Sequence, residues 1–431
     1  MATNPFSGAC LAVAVALSLL AAVPVWAEPQ PLSLQQAVAA ALDNSPELVS
    51  LRKEAGVFDA AAVRAGVIPN PTLELEAATG ALTGSSDDSN VSVGISQEFL
   101  LGDKRLKRRT VAERDLAGYR WQVADRERAL KEQVQAAYCD VLLAQERVGL
   151  AHHSIDLNKQ LLQVAADRLT AGDIPELEMY LVRVELVRSE ANLIELQRTL
   201  LDSRAKLFAL MALPPTAAPL LGGTLNRNDV RIKGVGDLKQ AAMQSRPDLK
   251  ALHAAMQKSD AEVVLAEAEG IPNLTAGVAL SRDTSSMEIG GVEGRETSYT
   301  IGLKLSMPIP VFDRNQAGQQ EARAKRSSAE IRLQGAAVSV EREVESAHAS
   351  LANAEKVLSL YRSDILRQLD ENLKLTQEAY RLGEVGILAV IEEQKKYFEV
   401  SDRYLAALHA RQVALNELES AVAADINGGA Q

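Results

Sequence analysis

Cysteine is nearly missing from this chain: Cys10 and Cys139 are the two among 431 residues, and aromatic side chains make up only 4%. Once a leader of residues 1–27 is removed, Cys139 stands alone, so an exported chain holds no internal disulfide and is held together by packing. The scarcity of aromatics, set against abundant Ala, Leu, Glu, Gln and Arg, favours long helices packed through small side chains. A net charge of −11 with no separate basic domain excludes a broad nucleic-acid-binding face. There is no Gly-x-Ser-x-Gly elbow, phosphate-binding loop or Cys-x-x-Cys pair, so no enzyme chemistry is expected. His152 and His153 are adjacent and diverge on a helix, while His253, His348 and His409 are isolated. Those spacings offer no resident metal site and call for no cofactor. Beyond residue 27 the chain also lacks the run of about 18 apolar residues that a membrane-spanning helix needs, so any membrane crossing must use strands.

Cys10 to Ala27 is apolar and uncharged and ends in Val25-Trp26-Ala27 before Glu28, the form of a secretory apolar region with a small-residue cleavage site. Residues 1–27 therefore read as a signal peptide, although no Lys or Arg precedes the apolar run. Ser7-Gly8-Ala9-Cys10 lies before that run instead of after it, so lipidation is not expected.

What the chain does have is a duplication at an interval of about 200 residues. Ser45-Pro46-Glu47-Leu48 is answered by Ser245-Arg246-Pro247-Asp248-Leu249, and Ile68-Pro69-Asn70 by Ile271-Pro272-Asn273. Gly102-Asp103-Lys104-Arg105 is answered by Phe312-Asp313-Arg314-Asn315, and Thr170-Ala171-Gly172-Asp173-Ile174 by Arg381-Leu382-Gly383-Glu384-Val385. The expected organisation is a first repeat over 28–213, a Pro- and Gly-rich linker over 214–236, a second repeat over 237–424 and a tail over 425–431.

Each repeat carries two alternating runs that read as strands. In Thr72–Thr79 and Asn90–Phe99, and again around Leu274–Leu280 and Tyr299–Ser306, apolar residues alternate with small or polar ones. Each run spans about 8–10 residues, enough for a tilted strand to cross a bilayer. Gly80 to Ser89 and Arg282 to Thr297 are expected as polar hairpin loops. Four strands cannot close around water and open edges are not tolerated in lipid, so several copies must contribute to one barrel.

The long helical runs follow a 3.5-residue period. Leu130, Val134, Ala137, Val141, Ala144, Val148, Ala151 and Ile155 form one seam, and Val340, Val344, Ala347, Leu351, Ala354, Leu358, Tyr361 and Ile365 the other. The seams then meet the polar amides Asn158 and Gln368. A helix from about Lys104 to Leu169 extends on the order of 100 Å. Turns at Gly172 and Gly383 return the chain along Leu177 to Leu210 and Leu388 to Val422, giving two antiparallel helical hairpins. A rod-like coiled-coil adaptor or scaffold without a pore is the alternative that periodicity alone leaves open.

The motifs Ile68-Pro69-Asn70-Pro71, Ser96 to Arg105 (Ser-Gln-Glu-Phe-Leu-Leu-Gly-Asp-Lys-Arg), Ala144-Gln145-Glu146-Arg147 and Pro308 to Gln316 resemble those of the TolC-like outer-membrane efflux channels. Within these the chain is similar to the CzcC-like heavy-metal cation subgroup, across roughly Leu32 to Val422. The resemblance implies a mainly α fold with a small membrane β part: a homotrimer whose strands share one transmembrane β-barrel continued by a periplasmic α-barrel. It further implies a passive outer-membrane channel for metal cations, served by a periplasmic adaptor (membrane fusion protein) and an inner-membrane resistance-nodulation-division pump. A duct for drugs or other organic solutes has the same architecture.

By that resemblance the helical tips, Gly172 to Leu177 and Gly383 to Leu388, form an iris and meet the adaptor, with Gly172, Asp173, Leu177, Gly383, Glu384 and Leu388 as docking candidates. Glu178 and Glu392 match the family's gate carboxylates, and where two carboxylates are typical of the second copy this chain has Ala389 and then Glu392. Asp173 and Glu384 are also expected to stabilise the starts of the return helices. The basic run Lys104, Arg105, Lys107, Arg108 and Arg109 reads either as a solvated helix start or as a contact to lipid phosphates.

Overall fold

The computed structural model of the chain describes residues 31–82, 87–214, 221–225, 232–289, 292–362, 364–424 and 426. Residues 1–27, expected as a signal peptide and including Cys10, and most of the tail over 425–431 lie outside the described residues. Each repeat opens with two helices meeting at a proline elbow. In the first, α1 (Leu34–Asn44) starts on a capping box between Ser33 and Gln36, and α2 (Pro46–Ala65) starts on Ser45, whose hydroxyl accepts from the Leu48 N–H. Proline at the first helical position lacks only a donor that has no partner there anyway, so the elbow costs little. The second repeat uses the same device between α5 (Val235–Ser245) and α6 (Pro247–Glu269).

Four strands, β1 (Thr72–Thr79), β2 (Ser89–Phe99), β3 (Leu274–Ile289) and β4 (Val292–Ser306), form one antiparallel sheet in the order β1-β2-β3-β4. The second hairpin is longer than its alternation of apolar residues suggests. Arg282 to Thr297, expected as loop, is paired as far as Ile289 opposite Val292. Ladder hydrogen bonds do not depend on hydropathy, so a polar ribbon continues beyond the apolar part of the strands.

Register sorts the sheet into two faces. Leu75 lies opposite Val93, Val93 opposite Leu280 and Leu280 opposite Ile301, while Leu73, Ile95, Val278 and Leu303 line up one step away. Tyr299, Ile301, Leu303 and Leu305 are 71%, 75%, 84% and 72% exposed, so this apolar face is left uncovered. Glu74, Ser92, Gly94, Ser96, Ser281, Gly302 and Lys304 occupy the opposite face. Across that face Lys304 on β4 reaches Glu74 on β1 at 3.2 Å, and the Ser96 hydroxyl donates to the same carboxylate at 2.9 Å. Edge strands meet over the intervening pair only if the sheet curls toward its polar side and little stands between them. Gly277 meets both demands, since a Cβ there would sit 3.0 Å from the Ile95 carbonyl and the Ser96 Cβ. An apolar outer surface, a polar concave surface and two outer edges unpaired among the described residues are a barrel segment. Leu303→Arg is accordingly expected to cost about 2–4 kcal/mol of membrane stability. Thr300→Arg, on the concave face, leaves recovery in the outer-membrane fraction near that of the unmodified protein.

Below the sheet α3 (Lys104–Ala171) runs 68 residues, about 100 Å, and α4 (Glu176–Leu210) returns beside it. In the second repeat α7 (Gln316–Arg362) and α8 (Ile365–Arg381) descend, and α9 (Ile387–Val422) returns. The first seam is realised: Leu130, Val134, Val141, Ala144, Ala151, Ile155 and Asn158 are all buried. The second holds through Val340, Val344, Ala347, Leu351 and Leu358 and then fails, because Ile365 and Gln368 are exposed. Asp364, in the left-handed region at φ 40°, breaks the helix, and the buried residues resume at Leu373 and Tyr380 in a shifted phase. Asp tolerates that conformation better than most residues, and its carboxylate is held at 3.3 Å by Arg367.

Two members of the basic run after β2, Lys104 and Arg108, turn inward instead of reaching for lipid. Lys104 is 3% exposed and donates to Asn273 at 2.7 Å, and Arg108 pairs with Glu269 at 2.7 Å. Arg109 pairs with Glu113 along its own helix. Lys104 and Arg108 thereby tie the start of α3 to the α6–β3 junction. No helix among the described residues is long and apolar enough to cross a membrane.

Candidate functional site

The ends of the helical hairpins farthest from the sheet repeat one backbone motif. Gly172 and Gly383 both have φ 83°, a conformation that glycine, with no Cβ, adopts at the least cost. Gly172 N–H donates to the Leu169 carbonyl and Asp173 N–H to that of Arg168, while Gly383 N–H donates to Tyr380 and Glu384 N–H to Ala379. Asp173 and Glu384 thus close the incoming helices through their backbone. The side-chain capping expected of them is absent: the caps of α4 and α9 are Pro175 and Gly386, with no side-chain hydrogen bond. The glycine turn spends two or three residues before each return helix begins, which places the carboxylates too early to reach its free N–H groups.

A compact apolar core sits just inside these turns. Leu161, Ala165 and Ile174 of the first descending helix and turn, Val182 of α4, Tyr380 of α8 and Ile387, Val390 and Ile391 of α9 pack together, so both hairpins share it. Leu177 and Leu388 begin the return helices but face outward, at 65% and 60% exposure. The outermost tip is therefore apolar and acidic, with Asp173, Glu384 and Glu392 also exposed.

Glu178 and Glu392 have different surroundings. Glu178 is half-buried and accepts a hydrogen bond at 3.3 Å from the hydroxyl of Tyr380, whose side chain is fully buried. Burial first, and then the neighbouring Glu178 carboxylate, pushes the Tyr380 hydroxyl up to about 12. Arg168 donates to the Tyr380 carbonyl at 2.6 Å and lays its guanidinium 4.8 Å from the centre of the ring. Arg168, Tyr380 and Glu178 thus link α3, α8 and α4. The sequence singles out Glu178 but not its two partners. The available signal was positional, since both lie in the last turn before a reversing glycine.

Further from the tip, polar pairs join the hairpins. Lys395 meets Glu185 at 2.8 Å, Arg147 meets Asp402 at 2.7 Å and His409 meets Asp140 at 2.8 Å. Between α3, α4 and α9 lies a cavity of about 350 Å³ lined by Asn158, Ser189 and Gln394 among others. Partly exposed pairs of this kind contribute little each, and the hairpins are joined mainly by the apolar residues they share, Leu358, Ala407 and Leu408 among those of the first repeat. Among the described residues no group of three or more His, Cys, Asp or Glu side chains is arranged to hold a metal ion.

The family model for the outer membrane efflux protein matches residues 37–213 and 238–424. The cobalt-zinc-cadmium resistance protein CzcC of Cupriavidus metallidurans is 27% identical over 379 residues, covering 88% of this chain and 87% of its own. The pyoverdine export outer membrane protein OpmQ of Pseudomonas putida is 24% identical and covers 81% of this chain and 72% of its own. Among solved structures, CusC superposes with a TM-score of 0.73 at 17% identity over 90% of this chain and 91% of the other, which shows a shared fold.

Proposed function

Because the chain belongs to the outer membrane efflux protein family, we propose that it is the outer-membrane duct of a tripartite efflux system, passively carrying heavy-metal cations from a periplasmic pump and adaptor to the exterior. The observation that carries this reading is the curled sheet with an uncovered apolar face, a polar concave face and two unpaired edges, joined end to end with two helical hairpins. Such a sheet is stable in lipid only when further copies complete the ring, and three copies, as the family resemblance implies, make a homotrimer. The same closure makes the concave face a water-filled lumen. This separates a duct from a poreless coiled-coil scaffold, which has no use for an apolar sheet.

The tips are the gate in this reading. Glu178 and Glu392, repeated by symmetry, concentrate negative potential at the constriction and favour cations over anions. The exposed Leu177 and Leu388, together with Asp173 and Glu384 beside the reversing glycines, form the surface offered to the adaptor. The cargo assignment is supported by the likeness to a cobalt-zinc-cadmium resistance protein. A duct for organic solutes is the second reading, favoured by the likeness to a pyoverdine export protein.

In planar bilayers the purified full-length protein carrying Glu178→Gln and Glu392→Gln is expected to conduct more than the unmodified protein and to lose cation preference, read from the reversal potential in a salt gradient. No conductance from correctly inserted protein of either form sinks the duct. Cells lacking the protein are expected to become sensitive to zinc, cobalt, cadmium, nickel, copper or silver; sensitivity to organic compounds alone selects the second reading.

A further inference from the structure

On the uncovered face of the sheet, directly above the apolar band, stand two arginines that the duct itself does not use. Arg282 of β3 lies opposite Tyr299 of β4, and Arg295 lies four residues before Tyr299 in β4, nearer the hairpin and opposite Ser286. Strand alternation places Arg282, Tyr299 and Arg295 on the same face as Val278, Leu280, Ile301, Leu303 and Leu305. All three side chains are exposed, and neither arginine makes a hydrogen bond or ion pair with any described residue. From Leu305 to Tyr299 the apolar band spans about 20 Å of strand, and Arg295 lies about 13 Å beyond Tyr299. The aromatic ring thus marks where the band ends, as girdles do in outer-membrane barrels. Both arginines lie toward the β3–β4 hairpin end, away from the helices.

We propose that Arg282 and Arg295 form an outward-facing site for the phosphate groups of an anionic glycolipid in the outer leaflet, with Tyr299 seated at the boundary between its acyl chains and its head group. The proposal rests on the reading of the sheet as a membrane barrel with its helices in the periplasm. Charge complementarity selects the occupant. A protein of net charge −11 has placed two guanidinium groups that pair with no described residue on the one surface that faces lipid, at the height of head groups. Guanidinium presents paired donors that match phosphate oxygens. At the opposite end of the sheet Lys104 and Arg108 are held by Asn273 and Glu269 instead.

The test uses the full-length protein in phosphatidylcholine nanodiscs, titrated with bisphosphorylated lipid A. The unmodified protein is expected to bind lipid A, Arg282→Gln with Arg295→Gln to bind it 10- to 100-fold more weakly, and Arg282→Lys with Arg295→Lys, which keeps the charge but not the paired donors, to fall between the two. Dephosphorylated lipid A should bind both forms weakly. Equal lipid A affinity in the unmodified and glutamine proteins overturns the proposal. So does competition by inorganic phosphate at concentrations equal to the lipid, which makes this a free-phosphate site. Circular dichroism and insertion into phosphatidylcholine alone confirm that the glutamine protein is folded. If the unmodified protein never enters nanodiscs, it is the membrane reading that fails.

Discussion

Truncating Tyr380 to alanine should open the tip and weaken it at once. The ring is fully buried among Leu161, Ala165, Val182 and Val390, so its removal leaves a cavity worth about 3–5 kcal/mol. It also deletes the surface on which Arg168 stacks and the hydroxyl that Glu178 accepts. Tyr380→Phe keeps the packing and the Arg168 contact and loses only a 3.3 Å hydrogen bond, for about 0.5–1.5 kcal/mol. Single-channel conductance and proteolysis at the hairpin ends should rank the proteins alanine above phenylalanine above unmodified. Equal conductance in all three would rule Tyr380 out of the proposed gate. Alkaline titration provides an independent check. The hydroxyl ionises near pH ~10 in an unfolded chain but only at about 12 in the folded tip. The unfolded state therefore releases its proton first, and the contribution of this group is complete below pH ~10 and is lost as pH rises toward 12. In Tyr380→Phe that loss disappears.

The second large effect belongs to the elbow before α6. Arg246, with a side chain only 5% exposed, donates to Asp248 at 2.8 and 3.0 Å, to the Ala421 carbonyl at 3.0 Å and meets Glu343 at 2.9 Å. One guanidinium therefore fastens α6 to α7 and to the end of α9. Arg246→Ala takes this partner from the partly buried Asp248 carboxylate, the Ala421 carbonyl and the half-exposed Glu343 carboxylate. The expected cost is about 3 kcal/mol, the low end for a broken buried pair because Glu343 is half in water. The measurement is the urea midpoint of the detergent-solubilised protein, and a change below about 1 kcal/mol would mean that the elbow is held by Leu249 and its apolar neighbours instead. Burial acts to raise the Asp248 carboxyl, but the hydrogen bonds and charge of Arg246 outweigh it and hold the group below its ordinary value. Its stabilising contribution is present above pH ~4 and is lost as pH falls through the depressed folded value, so Arg246→Ala should flatten the acid limb of the stability curve.

Where one residue type has one physical use, the chain could be read directly. Alternation in Thr72–Thr79 and Asn90–Phe99 became β1 and β2 with at most a one-residue shift at the start. Gly172 and Gly383 became left-handed turns, because glycine, with no Cβ, adopts that conformation at the least cost. Reading failed where a side chain has several uses. The polar stretch from Arg282 to Thr297 suits a loop or a strand clear of the lipid core, and only pairing across the hairpin distinguishes them. The seam over Ile365 and Gln368 continued on paper because periodicity carries no mark of a break at Asp364. Lys104 looked like a surface cation until Asn273, from the other repeat, arrived beside it.

The sequence by itself determined the duplication, the four strands, the two helical hairpins and their reversing glycines, since each follows from the local periodicity and backbone freedom of residues close together in the chain. Tertiary structure alone decided that Tyr380 locks onto Arg168 and Glu178, that Arg246 joins three helices and that the sheet curls toward Glu74 and Lys304. Those contacts join residues brought together from separate repeats or distant helices, and an ammonium, guanidinium or hydroxyl finds its partner by distance in space, which the order of residues along a chain does not encode.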